Sequence, residues 1–162
     1  MLIVIKKPSE CTRKEIESFI EMVRTGGQVK KPGMEWRVRR AHLLAFYYEK
    51  NTLAGILGVK QFIKTYKKTI FRKAGVPEEA GKYNLEMGWA FTLPEYRGRG
   101  IFSSLKKKLI SAVGHENLYS TTSINNLPVQ KSMKKFGFVK LGKPYAGRTS
   151  GRMIYIFVRK VR

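Results

Sequence analysis

Residues 85–109 of this chain read LEMGWAFTLPEYRGRGIFSSLKKKL. The first nine residues alternate between bulky apolar side chains and mostly small ones, which predicts a β-strand with two different faces. Apolar residues then recur at helical spacing from Phe102 onward, which predicts an amphipathic helix ending near Gly114. Between the two elements, RGRG (97–100) puts two glycines and two arginines into the turn that enters the helix. This strand–turn–helix unit decides the fold that we expect.

The RGRG loop, residues 97–100, is suited to hold an anion at a helix N-terminus. The first backbone amides of a helix have no acceptor within it, and the helix dipole favours negative charge there. Gly98 and Gly100 would let a ligand approach these amides closely, and Arg97 and Arg99 add charge that suits a pyrophosphate. The same residues also occur as a plain basic turn, so their spacing alone leaves both interpretations open.

The strand that precedes this loop carries a single carboxylate, Glu86, on its otherwise small face. The alternation places Gly88, Ala90 and Thr92 beside Glu86, whereas the opposite face is bulky. This arrangement suits a strand with something lying against its small face. An ordinary solvent-facing glutamate near a strand end is the alternative. The bulky face consists of Leu85, Met87, Trp89, Phe91 and Leu93.

The rest of the chain also reads as alternating strands and helices. Thr12 and Glu15 form a capping box before a helical apolar pattern that ends at Gly26-Gly27, and Asn126 is a plausible N-cap of a later helix. We expect one α+β domain over residues 1–162, with a mixed, mostly antiparallel sheet of about six to seven strands flanked by about four helices. The other strands are predicted at 2–6, 43–49, 52–63, 117–124, 138–141 and 152–160, and the other helices at 38–43 and 127–136.

The charge of the chain is strongly unbalanced. Thirty-three Lys and Arg residues against eleven acidic ones give a formal net charge of +22 over 162 residues. Such an excess indicates a polyanionic partner, although a basic proteome or a solubility requirement would explain it too. The segment KTYKKTIFRK (64–73) concentrates it, with five basic residues in ten that break the pattern of strands.

The composition excludes some catalytic sites and disfavours metal binding and a membrane location. All eleven acidic residues are Glu, so a Ser-His-Asp triad and an aspartyl dyad are excluded. His42 and His115 have no partner at metal-ligand spacing, and we expect no metal. Cys11 is the one cysteine, so no intrachain disulfide is expected. The sequence has no apolar run near the ~20 residues of a membrane span and no signal peptide. We therefore expect a cytoplasmic protein without a membrane partner.

Two segments together resemble the GNAT superfamily of N-acetyltransferases. PEYRGRGIF (94–102), after an apolar strand and before a helix, is similar to the family's acyl-CoA pyrophosphate loop, Arg/Gln-x-x-Gly-x-Gly/Ala. The loop gives Arg97 and Gly100 here, but Phe102 stands where the family usually has Gly or Ala. NLPVQKSMKKFGF (126–138) is similar to the family's second cofactor segment, an asparagine leading a helix that ends in Gly-Phe. The resemblance covers roughly residues 40–160.

The resemblance implies acetyl-CoA as co-substrate and assigns roles to individual residues. The pantetheine arm would pair with the strand at Phe91, Thr92 and Leu93, and Glu86 would act as general base, commonly through water. Met133 stands where the family often has the tyrosine that protonates the departing thiolate, so Tyr119, Tyr145 or water remain as alternatives. The implied cofactor-binding residues are Phe91, Thr92, Leu93, Arg97, Gly98, Arg99, Gly100, Ile101, Phe102, Ser103 and Asn126.

The function implied is transfer of an acetyl group to a primary amine. Because of the charge, we expect an acceptor carried on or near a nucleic acid, since one branch of the family acetylates aminoacyl-tRNA and another is related to DNA base modification. The rivals are a GNAT-fold nucleic-acid-binding protein with little turnover and an acetyltransferase of a protein or small-molecule amine. The chain would be a monomer or homodimer. The predicted tRNA or DNA contacts are Lys64, Lys67, Lys68, Arg72 and Lys73, with Tyr66 and Phe71 for stacking.

Overall fold

A computed structural model describes residues 1–27, 32–61, 63–148 and 151–161. The chain divides into two compact units. Unit 1 comprises Met1–Gln61 and Met87–Gly114, and unit 2 comprises Phe62–Glu86 and His115–Arg162. The expectation of one domain over residues 1–162 stays a prediction.

The described residues contain seven strands and five α-helices, with short 3₁₀ helices at Pro8–Glu10, Pro77–Lys82 and Pro94–Tyr96. The elements follow one another as β1 (Leu2–Lys6), α1 (Arg13–Thr25), α2 (Met34–Arg39), β2 (Leu43–Glu49), β3 (Thr52–Gln61), α3 (Lys64–Lys73), β4 (Leu85–Thr92), α4 (Ile101–Val113), β5 (Leu118–Ser123), α5 (Leu127–Lys135), β6 (Val139–Ala146) and β7 (Met153–Arg159).

The strands form a mixed sheet in the order β1-β2-β3-β4-β5-β7-β6. The pairs β1–β2, β2–β3, β5–β7 and β6–β7 are antiparallel, whereas β4 and β5 are parallel. The predicted α+β class, with a mixed and mostly antiparallel sheet, is therefore confirmed. Strands β2 and β3 form a hairpin, with Lys50 at φ +53° in its turn.

The boundaries differ from the predictions at a few places. Helix α2 begins at Met34, four residues before the predicted start, because Gly33 adopts φ +84° as its N-cap. Strand β6 continues to Ala146 instead of ending at Leu141. Phe62, in the predicted strand 52–63, lies outside the described residues, and so do residues 149–150, between the predicted strands 138–141 and 152–160.

Helix α3 is a fifth helix, where the sequence predicted only a basic segment breaking the strand pattern. Its buried side chains include Ile70 and Phe71, and Ala74 follows at its C-cap, so apolar residues do recur at helical spacing. The lysines among them hide that pattern in the sequence.

The core of unit 1 is built by α1 packing on β2, β3 and β4. The predicted capping box is confirmed, because the Thr12 hydroxyl accepts from the Glu15 amide at 3.2 Å and the Glu15 carboxylate accepts from the Thr12 amide at 2.8 Å. The Phe19 ring then lies edge-on to Phe46 at 5.6 Å and to Trp89 at 5.9 Å. Burial of such rings is the main force that holds unit 1 together.

Strand β4 departs from the regular alternation that the sequence predicted. Trp89 has φ +56°, a left-handed conformation that a bulky residue rarely adopts. The Trp89 ring is buried, and a Cβ at Gly58 would stand 2.7 Å from it. Because the backbone turns out of the extended conformation at Trp89, the two predicted faces do not continue unbroken along β4.

Unit 2 has its own core, in which aromatic rings from different elements meet. Phe71 of α3 stacks on Tyr83 at 6.1 Å and lies edge-on to Tyr119 of β5 at 5.6 Å. Tyr145 of β6 belongs to the same buried cluster. Unit 2 therefore gathers three tyrosine side chains close to the start of β4.

Candidate active site

The RGRG loop has the backbone conformation that a close approach to a ligand requires. Gly98 has φ +76° and Gly100 has φ +75°, and Gly100 is the N-cap of α4. Apart from the adjacent residues in the chain, no described atom lies within 4 Å of the place where a Cβ would stand at either residue. Only glycine adopts this conformation without strain, and its missing side chain leaves the helix start accessible.

A hollow of about 150 Å³ lies at this helix start. The amides of the first turn of α4 point along the helix axis without intrahelical acceptors, since the first such bond runs from Ser104 to Gly100. Oxygen atoms of a pyrophosphate are acceptors of the kind these amides lack. The hollow therefore fits an anion, and its lining brings together seven predicted cofactor residues with Tyr96: Thr92, Arg97, Gly98, Gly100, Ile101, Phe102 and Ser103.

The two arginines of the RGRG loop are placed differently. Arg97 lines the hollow, its Nε donates to the Thr92 carbonyl at 3.1 Å and its guanidinium lies 5.8 Å from the Phe91 ring centre. Arg99 instead donates from Nη2 to the Glu95 carbonyl at 3.1 Å and covers the Tyr96 ring at 5.2 Å. The contribution of Arg99 to pyrophosphate binding stays a prediction.

The residues at the end of β4 and directly after it are not equally available to a pantetheine arm. The Leu93 amide donates to the Ala54 carbonyl at 2.9 Å, so its backbone faces β3. Successive residues of an extended strand present their amide and carbonyl groups to opposite sides, so the backbone of Thr92 faces away from β3. Phe91 and Leu93 pack their side chains against the core of unit 1. Of the three predicted residues, Thr92 is therefore the best placed to pair with a ligand.

Asn126 caps α5 as predicted. Its side-chain oxygen accepts from the Val129 amide at 3.4 Å, Pro128 lies in the first turn, and Gly137 follows the helix at φ +81°. Met133, at the position where the family often has tyrosine, is buried in this helix. The cofactor contact predicted for Asn126 stays a prediction.

Glu86 is buried, with 5% of its surface exposed, so it is not the solvent-facing residue of the alternative interpretation. The parallel pairing of β4 with β5 sets Glu86 opposite Tyr119. The Tyr119 hydroxyl donates to Glu86 Oε2 at 3.4 Å. A buried carboxylate with a phenol donor is a chemically competent general base when an acceptor amine reaches it.

Two further phenols lie near the Glu86 carboxylate. Burial raises the pKa of Tyr66, Tyr119 and Tyr145 well above the ordinary tyrosine value, and the negative charge of Glu86 raises all three further. The Tyr66 hydroxyl also bonds to the Thr121 side chain, and the Arg148 guanidinium lies 5.2 Å from its ring centre. These phenols therefore stay protonated at neutral pH and serve as hydrogen-bond donors, which makes Tyr119 and Tyr145 poor proton donors to a thiolate.

The predicted nucleic-acid surface needs two corrections. Lys67 is 5% exposed and its Nζ donates to the Tyr83 carbonyl at 2.9 Å, because its position lies on the buried side of α3. Phe71 is fully buried in the core of unit 2 and offers no ring for base stacking. Lys67 and Phe71 therefore do not belong to the predicted nucleic-acid surface.

Three basic residues remain on one face of α3. Lys64, Lys68 and Arg72 are exposed and four residues apart, so they follow one another at about 6 Å along the helix axis. We call these three residues the α3 stripe. Lys73 is exposed beside it at the end of the helix.

The sequence of the chain matches the profile of the acetyltransferase (GNAT) family over residues 11–138. The chain therefore belongs to the GNAT family. No curated protein matches the sequence.

Several solved structures share the fold over nearly the whole chain. Escherichia coli ElaA has a TM-score of 0.73 at 10% identity, covering 98% of this chain and 99% of that one. An acyl-CoA N-acyltransferase from Pseudomonas aeruginosa has a TM-score of 0.70 at 15% identity, covering 98% of both chains. Arabidopsis thaliana NAA60, solved in complex with acetyl-CoA, has a TM-score of 0.67 at 13% identity, covering 97% of both chains.

In the described part of the chain, no helix has the length and apolar character needed to cross a membrane.

The grouping of Tyr66, Tyr119 and Tyr145 near Glu86 is the part of the site that the sequence did not predict. The helical spacing of Tyr66, Ile70 and Ala74 would have placed Tyr66 on the inner face of a helix. Tyr119 and Tyr145 needed the pairing of distant strands.

Proposed function

We propose that this chain is an acetyl-CoA-dependent N-acetyltransferase that acetylates a primary amine. The observation that carries the proposal is the RGRG loop at the start of α4, where two glycines at positive φ open a hollow onto the free amides of a helix. Membership of the GNAT family supports the same activity. The pyrophosphate of acetyl-CoA is the anion that this hollow would hold.

Different residues of the chain bind acetyl-CoA and move the proton in this reaction. Acetyl-CoA supplies an acetyl group activated as a thioester. Thr92 offers its backbone for pairing with the pantetheine arm, and the first turn of α4 binds the phosphates. Glu86 takes a proton from the acceptor ammonium, commonly through water, so that a neutral amine can attack. Backbone amides of β4 are the donors available to the developing oxyanion.

The departing thiolate does not need a dedicated acid. A thiol has a pKa of ~8.5, so its anion is tolerable near neutral pH and water can protonate it. Met133 cannot donate a proton and is buried. The missing tyrosine should therefore slow turnover without preventing it.

In its more specific form, the proposal is that the acceptor amine is carried on or near a nucleic acid. The α3 stripe offers three exposed cations at regular spacing, and the net charge of +22 favours a polyanion. The same stripe supports the second candidate, a GNAT-fold protein that binds nucleic acid and turns over little or no acetyl-CoA.

A transfer assay separates these candidates. The protein is incubated with acetyl-CoA and, in turn, aminoacyl-tRNA, peptides with free N-termini, free lysine and a polyamine, and the release of free thiol is followed. Release that depends on one amine class supports the enzyme and names its acceptor. No release above the hydrolysis background with any amine, together with tight tRNA or DNA binding, would overturn it in favour of the binding protein.

A further inference from the structure

Tyr119 is held rigidly beside the carboxylate of Glu86. It is 0% exposed, and its ring packs edge-on against Phe71 at 5.6 Å. Its backbone is fixed on both sides, opposite Glu86 on β4 and opposite Val158 on β7. A side chain fixed in this way presents its hydroxyl in one direction only.

From this arrangement we infer that Tyr119 is the positioning residue of Glu86, orienting the carboxylate through the hydrogen bond to Oε2. The inference rests on the proposed role of Glu86 as general base. The 3.4 Å separation is long for a phenol–carboxylate hydrogen bond, and such contacts often tighten in the complex with substrate. Glutamate has flexible torsions, so a fixed donor decides which way its carboxylate faces.

Other phenols lie around this contact. Tyr66 of α3 and Tyr145 of β6 are also near enough for the charge of Glu86 to act on them, and Arg148 faces Tyr66. Of these phenols, the Tyr66 hydroxyl is engaged with Thr121. Tyr119 donates to the carboxylate itself and stays protonated, so it can hold the Glu86 carboxylate in one orientation without exchanging its own proton.

The chain provides a matched control in Tyr83. Tyr83 is also 0% exposed and lies in the same core cluster, and its hydroxyl is buried without a hydrogen-bond partner in the described structure. Tyr119→Phe and Tyr83→Phe therefore remove the same atom from equally buried rings. Only Tyr119→Phe removes a donor to Glu86.

The first measurement is of kcat and the KM for acetyl-CoA. Tyr119→Phe should lower kcat about tenfold or more and leave the KM for acetyl-CoA unchanged. Tyr83→Phe should change none of these. In a Glu86→Gln background, Tyr119→Phe should have no further effect, because it acts through Glu86.

The second measurement needs no activity. The chain has eleven carboxylate side chains, all Glu, so the ¹³C-carboxyl spectrum of the labelled protein is simple, and Glu86→Gln identifies the Glu86 signal. At one fixed pH, the chemical shift of that signal should change in Tyr119→Phe, because the hydrogen bond to Oε2 is lost, and should stay at its wild-type value in Tyr83→Phe. The same chemical shift in all three proteins, or equal kinetic losses in both variants, would overturn the inference.

The outcomes separate this inference from the proposed function. If Glu86→Gln keeps its activity, the general-base assignment fails whatever Tyr119 does. If Glu86→Gln is inactive while Tyr119→Phe matches the wild type in kcat and in the chemical shift of the Glu86 carboxyl, the base stands and the positioning role of Tyr119 is refuted.

Discussion

The Nε of Arg97 donates a hydrogen bond to the backbone carbonyl of Thr92 across 3.1 Å. This contact ties the RGRG loop to the end of β4, where the pantetheine arm is proposed to pair. One arginine therefore links the residues proposed to hold the phosphates with the strand proposed to hold the arm.

Arg97→Lys should weaken acetyl-CoA binding about tenfold, because lysine keeps the charge but loses the planar group that reaches Thr92. Calorimetry on the folded variant measures the effect. Arg13→Lys is the control, since Arg13 also uses its Nε, in an exposed pair with Glu17 that contributes little. Equal affinities of the wild type and Arg97→Lys would remove Arg97 from the binding site.

Gly100→Ala should weaken acetyl-CoA binding by at least ~1.4 kcal/mol, a factor of ten, because a Cβ would enter the hollow at the helix start. Gly33 is the matched control. It is the N-cap of α2 at φ +84°, against φ +75° for Gly100, so alanine meets similar backbone strain at both positions. Both variants should lose similar stability in chemical denaturation, and only Gly100→Ala should lose affinity. A similar loss of affinity in both would assign the effect to strain.

Glu86→Gln should lower kcat ~10²–10⁴-fold, since the amide cannot accept the proton of the acceptor ammonium. Steady-state kinetics measure the loss, and calorimetry should show nearly unchanged acetyl-CoA affinity. Glu116→Gln removes an exposed carboxylate and should leave both quantities unchanged. Activity within a few fold of the wild type would place the base elsewhere.

The α3 stripe should make nucleic-acid binding depend on salt. Each phosphate contact contributes ~0.9 to the slope of log affinity against log salt on duplex DNA and ~0.7 on single strands. Replacing Lys64, Lys68 and Arg72 with Gln should therefore reduce the slope by up to about two or three. Fluorescence anisotropy with tRNA, single-stranded and duplex DNA at several salt concentrations provides the measurement.

The control for the α3 stripe is a second triple variant with the same change of charge. Lys131, Lys134 and Lys135 are exposed on α5. If their replacement by Gln reduces the slope as much, binding depends on diffuse charge and the α3 stripe is not a specific surface. Acetyl-CoA affinity should be unchanged when the α3 stripe is removed.

Lys106 should make folding stability rise with pH. It is 0% exposed in α4, and burial lowers its pKa from 10.5 to about 7. The unfolded chain therefore binds the proton more strongly, so the cost of burial is fully present below about pH 7 and fades as pH rises toward 10.5. Lys106→Met should be more stable at pH 7 and lose ~1.4 kcal/mol of this advantage per pH unit within that window.

Chemical denaturation at pH 7 and pH 9.5 checks the sign. Lys108→Met, two residues along on the exposed side of α4, should show the pH dependence of the wild type. If the free energies of unfolding of the wild type and Lys106→Met change equally between the two pH values, Lys106 keeps its proton when the chain folds.

Local sequence signals predicted the elements that depend on local interactions. The capping box of Thr12 and Glu15 gave the start of α1, and β2 was predicted with its observed bounds. Helix α3 was missed because Lys67 occupies its buried side, where its amine bonds to the Tyr83 carbonyl. A buried lysine looks the same as an exposed one in a sequence.

The candidate site was predictable where it is built from consecutive residues. The RGRG loop and the first turn of α4 were found from spacing and resemblance. The contact between Glu86 and Tyr119 joins residues 33 positions apart on paired strands, and their register depends on the packing of the whole unit. The left-handed backbone of Trp89 was likewise invisible, because alternation predicts an unbroken strand.

The close approach of Trp89 to Gly58 should make the residue allowed at position 58 depend on the residue at position 89. The indole of Trp89 occupies the space that a β-carbon at Gly58 would need, since the two would stand 2.7 Å apart. A side chain at position 58 fits only if position 89 carries a smaller residue, so the two positions should vary together. Descendants that keep the tryptophan should keep the glycine, and lineages with a side chain at position 58 should carry a smaller residue at position 89.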